Sequence, residues 1–498
     1  MNKTERQNIG IYKYLQAGAI GCLLYTMRFG KTLIALKIIE RLLKKFPAST
    51  VFVIVPNVTI KQTWLNEIDT LDKFEYSNLH NYSKNKTMIM TANEILNYSD
   101  MVVDLLVIDE LHKFISEERT NLINNTKVKY KWNLGLTGTY PYNNKVVEKH
   151  FPIVDIIEEE EAIREGWISK YREYNIKLEL DTDDKEKYYK YSKIMNEIGD
   201  IFHGLYTIFD YKSTEHFFNS DLDLILSCYK GKSTKTVYVK GVHIRQLLSE
   251  KMGWSDELDL DTKRGSRIET YWNPDNIKKN AIKYYNAMQA RNDILKFNKT
   301  KLEATMDIYH KYRDYNIICF NESINFATII VDTINNLYKE DKAIAYHSKI
   351  KGQKLVDFIT GEYFKTKDGR DKEFGKTRVL KYIIEMFKIE KYKFIGTVNS
   401  MDEGLNIPQL NMVISTAGTI NPMQYSQRTA RAKTVNIGKA DEVVIIVNLF
   451  FDDFKYKVNG EFIYVKSRDK TKLHKRQDYK NIPIYTLEDF LNNVKISS

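Results

Sequence analysis

At 498 residues, 28% charged and 43% hydrophobic, with a formal net charge of +11, the chain exceeds one core and predicts a soluble protein of about two to four domains. No apolar stretch approaches the ~20 residues of a membrane span, Met1 to Gln7 lack the apolar core of a secretory signal, and Cys22, Cys228 and Cys319 lie too far apart for a zinc knuckle or disulfide framework, so a reducing, cytoplasmic setting is expected. The positive charge suits a polyanionic partner, although a composition rich in Lys, Asn, Ile and Tyr, as AT-biased coding produces, yields the same excess.

The first informative element is Ala19 to Leu24, an apolar run that predicts a strand. It leads through Tyr25-Thr26-Met27-Arg28-Phe29-Gly30-Lys31-Thr32 into Leu33 to Leu43, apolar at helical spacing. Strand, Gly-Lys-Thr turn and helix is the context of a P-loop. There the N–H groups of a helix N-terminus cradle phosphates, a lysine reaches the β/γ-phosphates and a hydroxyl holds Mg²⁺. The general pattern asks for glycine at position 25, where this chain has Tyr25. A second Phe374-Gly375-Lys376-Thr377 follows a charged stretch from Lys365 to Glu373, too polar for a buried strand; it is expected as an exposed loop before a helix near Val379 to Phe387.

Val51 to Val55 and Leu105 to Ile108 are β-rich runs without polar alternation, as strands buried on both faces should be. Thr87 to Met90 and Trp132 to Leu136 resemble them, and together they predict a parallel α/β domain over residues 1–165. An acidic stretch from Glu158 to Glu161 and an alternating segment from Tyr174 to Leu180 follow. Residues 183–299 show helical stretches at Lys185 to Ile198 and Asn276 to Phe297, and are expected as a mostly helical insertion. A second α/β pattern comprises Ile317 to Phe320, Ala343 to Tyr346, Phe394 and Ile395, Met412 to Ile414 and Val443 to Val447. Residues 166–182 and 300–452 are accordingly assigned to a second α/β domain, and 453–498 to a basic C-terminal tail.

Asp109-Glu110-Leu111-His112 caps the run Leu105 to Ile108. Ligands of open parallel sheets bind at the carboxyl ends of strands, so this acidic pair is expected to face the P-loop. One carboxylate can hold a nucleotide's Mg²⁺ while the other orients and deprotonates the attacking water.

The order Gly-Lys-Thr, Asp-Glu-Leu-His and Leu136-Thr137-Gly138-Thr139 resembles the first motor domain of superfamily 2 helicases and translocases. Pro56-Asn57-Val58-Thr59-Ile60-Lys61-Gln62-Thr63-Trp64-Leu65-Asn66-Glu67 is similar to motif Ia in its Swi/Snf-like and restriction-motor branches, and Thr91-Ala92-Asn93-Glu94 stands where motif Ib belongs. Ile318 to Ser323 and Tyr346 to Ser348 resemble motif IV and the strand after it. Gly396 to Pro408 resembles motif V, and Gln424 to Arg431 resembles motif VI. The resemblance implies two RecA-like domains with parallel sheets, ATP and Mg²⁺ as cofactors, and DNA as partner.

It also implies residue roles. Lys31, Asp109 and Glu110 would act in catalysis, with Arg428 and Arg431 as arginine fingers, groups worth about 10³–10⁵ in rate. Gln7, Arg28, Gly30, Lys31, Thr32 and Gly404 would contact nucleotide, and Thr32 and Asp109 the metal. Asn57, Gln62, Thr91, Asn321, Thr397 and Asn399 would grip the nucleic-acid backbone, each also open to reading as a cap or turn residue. His112, Thr137, Thr139 and Gln427 would link the two sites. Two departures stand out: Thr434, beside Lys433, occupies the position of a second motif VI arginine, and Tyr140 separates Thr139 from Pro141 in motif III. Compact size and AT-biased composition suggest a phage protein of replication or recombination. An RNA helicase would share every ATPase motif, and a nucleotide-switched motor or assembly subunit of a restriction or other complex would retain most of them.

Overall fold

The computed structural model describes residues 1–74, 87–95, 101–114, 116–124, 128–208, 238–239, 242–243, 274–339, 342–398, 410–416, 425, 443–474 and 482–494. The chain divides into two compact units. One comprises Met1–Lys177, Leu302–Phe450 and Lys472–Ser498; the other comprises Leu178–Lys301 and Phe451–Thr471.

The larger unit holds two parallel α/β sheets. Its first is built from β1 (Ile20–Tyr25), β2 (Val51–Val55), β3 (Thr87–Thr91), β4 (Met101–Asp109), β5 (Val128–Thr137) and β6 (Ile153–Ile157), in the order β3-β2-β4-β5-β1-β6 with every ladder parallel. All five residues of β2 are buried, because helices cover both faces of such a sheet. Successive residues of one strand serve opposite layers: Val51, Val53 and Val55 pack with Leu105, Val107, Leu134 and Leu136, while Phe52 and Ile54 pack with Leu106, Ile108, Cys22 and Leu24. The helix α2 (Lys31–Lys45) closes the first layer with Ile34, Ala35, Ile38, Ile39 and Leu43, and ends on Lys44 and Lys45, where cations complement the helix dipole.

An unanticipated helix, α1 (Lys3–Gln16), joins the same layer. It starts on a capping box in which Asn2 and Glu5 satisfy each other's backbone N–H. β6 also escaped the sequence pattern. Its Asp155, 5% exposed, receives bonds of 2.6 Å from Arg6 and Lys13 of α1 and from Tyr25 of β1.

The second sheet is built from β7 (Tyr171–Leu178), β10 (Ile317–Phe320), β11 (Ala343–Tyr346), β14 (Phe394–Thr397), β15 (Met412–Ser415), β16 (Val444–Phe451) and β19 (Ile484–Thr486), in the order β11-β14-β10-β15-β16-β7-β19. The ladders among β11, β14, β10, β15 and β16, and between β7 and β19, are parallel. A short antiparallel pair, β12 (Gln353–Lys354) and β13 (Glu373–Phe374), precedes the helix Lys376–Lys388.

The smaller unit pairs the helices Thr182–Ile208 and Pro274–Lys296, in keeping with the helical insertion, and carries the short strands β8 (Tyr238–Val239) and β9 (Val242–His243). Residues after 453 are more than a basic tail. β17 (Phe454–Val458) and β18 (Glu461–Val465) form a hairpin turning at Asn459 and Gly460, both at positive φ, and Tyr456 stacks on Tyr189. β19 then enters the second sheet at its edge. In β17, Lys455 and Lys457 alternate with Phe454, Tyr456 and Val458, which reads as basic in composition yet pairs as a strand, because the apolar residues recur every second position. Among the described residues no helix is long and apolar enough to cross a membrane.

Candidate functional site

The strand order assembles the site. Neighbours β4, β5 and β1 end at Asp109, Thr137 and Tyr25, so the acidic pair, the threonine turn and the Gly-Lys-Thr loop lie side by side at the carboxyl ends of three parallel strands. After Tyr25 the chain turns through Arg28 (φ 67°) and Gly30 (φ 97°), and Lys31 opens α2. Two left-handed residues in three reverse the backbone sharply and leave the first N–H groups of α2 without helical partners, the arrangement that binds anions. The second Phe-Gly-Lys-Thr lacks this geometry: Gly375 is extended (φ −66°), the strand before it has two residues, and Lys376 donates to the Ser348 carbonyl.

Tyr25, where the motif asks for glycine, has its ring in the core. It is fully buried, with its hydroxyl on Asp155, and it passes over Gly10 of α1 so closely that a Cβ there would stand 1.8 Å from the hydroxyl oxygen. Only its carbonyl enters the site, accepting from Lys31 Nζ at 3.1 Å. Gln7, 3% exposed, donates to the Phe29 carbonyl at 2.9 Å and therefore braces the loop from behind.

Asp109 is buried and held through both oxygens: Oδ2 accepts from Trp64 Nε1 at 2.8 Å and Oδ1 from the Glu110 N–H at 3.0 Å. Burial pushes its carboxyl up to about 6 and the Glu110 charge adds to this, while the Trp64 bond and the Lys31 ammonium oppose. Glu110 stands at φ 52°, which turns its side chain out of the strand direction. Its Oε2 is buried and, among the described residues, accepts no hydrogen bond, though His112 Nδ1 lies 3.4 Å away. His112 Nδ1 also lies 2.9 Å from Thr137 Oγ1, and Thr137 Oγ1 donates to the Thr139 carbonyl at 2.7 Å, so one string of polar contacts joins Glu110 to the β5 turn. Gly138 lies beside the loop, where a Cβ would stand in ordinary contact at 3.6 Å from Lys31 Nζ.

Sequence reasoning treated Trp64 and Glu67 only as marks of resemblance. Both lie on α3 (Val58–Phe74), one turn apart, and Trp64 is fully buried. Burial pushes the Glu67 carboxyl up to about 7, helped by Asp109 and opposed by Arg28; the Arg28 guanidinium is lowered to about 10 by burial, with Glu67 opposing. The i, i+3 spacing from Trp64 to Glu67 was the available signal.

Of the expected backbone-gripping residues, Asn57, Thr91, Asn321 and Thr397 stand at or just after strand ends and Gln62 lies on a helix, but most are engaged within the protein. Asn57 Oδ1 caps the Ile60 N–H, and Thr91 exchanges capping bonds with Glu94. Asn321, 1% exposed, donates to the Cys319 carbonyl and accepts from Thr416, while buried Thr397 donates to the Tyr346 carbonyl at 2.8 Å. Gln62 is exposed and bonds Asn66. Asn399, Gly404, Gln427, Arg428, Arg431, Lys433 and Thr434 lie outside the described residues. Tyr425, described within the same stretch of sequence, is anchored to Glu173 of β7 and receives Asn448 Nδ2 of β16.

The donors present fit a magnesium nucleotide. Thr32 follows the loop lysine, a buried carboxylate stands at the adjacent strand ends, and no group of three or more His, Cys, Asp or Glu gathers among the described residues. Mg²⁺ in phosphoryl-transfer sites takes one or two protein oxygens and completes its shell with phosphates and water.

Two protein families match the chain: one described as type III restriction enzyme, res subunit, over residues 20–142, and one described as helicase conserved C-terminal domain, over residues 300–435. Transcript termination protein A18 of Yaba monkey tumor virus is 26% identical over 156 residues, a match spanning 30% of this chain and 32% of that protein. Among solved structures, Saccharomyces cerevisiae Dbp5 bound to RNA and ADP BeF₃ is similar with a TM-score of 0.50 at 9% identity, covering 97% of this chain and 90% of the other. The Pyrococcus furiosus Hef helicase domain has a TM-score of 0.46 at 16% identity, covering 89% and 95%.

Proposed function

From the chain's place among the superfamily 2 helicases, nucleic-acid-dependent ATPases of the type III restriction and DEAD-like branch, we propose that it is a DNA helicase or translocase in which ATP hydrolysis between two RecA-like domains drives movement along DNA. The observation that carries the reading is the juxtaposition of Lys31, Asp109, Glu110 and the Thr137 turn at the ends of adjacent strands, with Lys31 on a left-handed glycine that the second copy of its motif lacks. The first motor domain comprises residues 1–165 and the second residues 166–182 and 300–452 together with the edge strand β19, with 183–299 inserted.

Lys31, Thr32 and the N–H groups of α2 hold the phosphates, and Arg28 adds positive charge behind them. Thr32 and Asp109 hold Mg²⁺, which when bound neutralises charge on the phosphate oxygens. Glu110 orients the attacking water and takes its proton at the carboxylate. Arg428 and Arg431 act as arginine fingers on the transferring group. The string from Glu110 through His112 to Thr137 and Thr139 reports the nucleotide state to the nucleic-acid side. Gln62 contacts the DNA backbone directly; Asn57, Thr91, Asn321 and Thr397 shape the strand-end loops that do so. The protein acts in the cytoplasm, that of a host if it is phage-encoded.

ATP turnover is measured without nucleic acid and then with single-stranded DNA, duplex DNA, forked DNA and RNA. Stimulation by one or more DNA forms is expected. Stimulation by RNA alone would reassign the substrate, and turnover indifferent to all four would favour a nucleotide switch within a larger assembly.

A further inference from the structure

Helix α3 leaves the carboxyl end of β2 and packs against β2, β3 and α2 with two unlike faces. Outward it carries Gln62, Leu65 and Asn66, all exposed; inward it carries Ile60, Trp64 and Ile68, all buried in the first core layer. Trp64 crosses from one role to the other. Its ring fills the core, and its Nε1–H leaves the apolar layer to meet Asp109 Oδ2 at 2.8 Å.

A tryptophan that only filled space would need some acceptor for its N–H. Here the acceptor is the carboxylate placed at the mouth of the nucleotide site. Its other oxygen is fixed by the Glu110 N–H, so rotation about the Asp109 side chain is arrested from two directions. One bond comes from the strand end itself, whereas the other comes from α3. Any tilt or slide of α3 therefore acts on Asp109 through the indole.

We infer that Trp64 is a positioning residue: it sets the Asp109 carboxylate and makes that setting depend on α3, so that nucleic acid seated on the outer face of α3 tunes the ATPase site. This rests on the functional reading above, which assigns Asp109 to the metal and Gln62 to nucleic acid. Partners of ligating groups held in this way typically carry about 10–100-fold effects when removed.

Trp64→Phe keeps a large ring and deletes the donor. In the full chain it should lower kcat at saturating single-stranded DNA about tenfold, while KM for ATP and the affinity for an oligothymidylate stay within about twofold of wild type. A second readout needs no turnover. The Trp64 indole N–H resonance of the wild-type protein should move when ADP and Mg²⁺ are added, and again when oligothymidylate alone is added. The resonance is identified by its loss in Trp64→Phe or, should that variant not fold, by exclusion after replacing the other four tryptophans singly. A folded Trp64→Phe protein with kcat within twofold of wild type, or an indole resonance that ignores both ligands, overturns the inference. A wild-type chain without Lys31-dependent turnover is a different result, overturning the functional reading itself; an active wild type matched by Trp64→Phe overturns only the role given to Trp64.

Discussion

Tyr25 and Asp155 meet at 2.6 Å between β1 and β6, and their bond explains why a P-loop strand can end on a bulky aromatic residue. The ring is directed away from the phosphate side, over Gly10, toward the buried pair of Arg6 and Asp155, which Lys13 reaches from the surface. Burial alone would raise the Asp155 carboxyl; the bonds from Arg6, Lys13 and Tyr25 outweigh it and hold the group below its ordinary value of 3.8. A depressed carboxylate stabilises the fold above its unfolded pKa and loses that contribution as pH falls through the folded one. Asp155→Asn should therefore cost about 3–5 kcal/mol near neutral pH, as breaking a buried pair does. The gap from wild type should close as pH falls below 3.8, read from urea unfolding midpoints across a pH series.

Gly10→Ala tests the same contact from the other side. The added methyl meets the Tyr25 hydroxyl at a distance no neighbour tolerates, so the variant should lose about 1–3 kcal/mol by overpacking. Thermal melts of the variant against wild type check it, and an unchanged midpoint would contradict the packing described.

Lys31→Ala should abolish ATP turnover by at least about 10²-fold, the scale for losing a principal donor to developing charge. Lys376→Ala should leave turnover within about twofold, since its ammonium serves the Ser348 carbonyl. Steady-state kinetics on both variants decides which Phe-Gly-Lys-Thr handles phosphate.

His112→Ala cuts the string from Glu110 to Thr137. Stimulation by DNA should fall about tenfold, inside the range of coupling free energies of about 1–3 kcal/mol, while unstimulated turnover persists. The ratio of stimulated to basal kcat is the quantity to measure; equal losses in both would reassign His112 to structure.

Gln7→Ala removes the donor to the Phe29 carbonyl and leaves a buried acceptor unsatisfied, a cost of about 1–3 kcal/mol. If Gln7 acts only by bracing the loop, KM should rise equally for ATP and GTP. A rise confined to ATP would show that Gln7 reads the adenine base, a direct form of the nucleotide contact that the resemblance implies.

The motor core was legible wherever buried strands announced themselves. Val51 to Val55, Ile317 to Phe320 and Ala343 to Tyr346 match the observed strands residue for residue, because strands covered on both faces need uninterrupted apolar side chains. β6 was hidden because Asp155 interrupts Ile153 to Ile157, and a charge in a strand becomes acceptable only once Arg6 and Lys13 arrive from α1, remote in sequence. The Trp64 contact was equally unreadable. Motif order placed Trp64 and Asp109 on separate elements, and only the β2–β4 ladder brings α3 and the end of β4 together. Asn321 and Thr397 match helicase motifs, yet their side chains are committed to neighbouring backbone, a detail fixed by strand pairing and invisible in a motif.

The two sheets impose different timetables on a growing chain. All six strands of the first lie between Ile20 and Ile157, so that sheet can close while the rest is still being synthesised. The second pairs β7, at Tyr171–Leu178, with β19, at Ile484–Thr486, and completing it must wait for a partner more than three hundred residues downstream. Such distant pairing slows folding. The half that carries the Gly-Lys-Thr loop can thus mature early on the ribosome, while β7 holds an open edge until β19 docks.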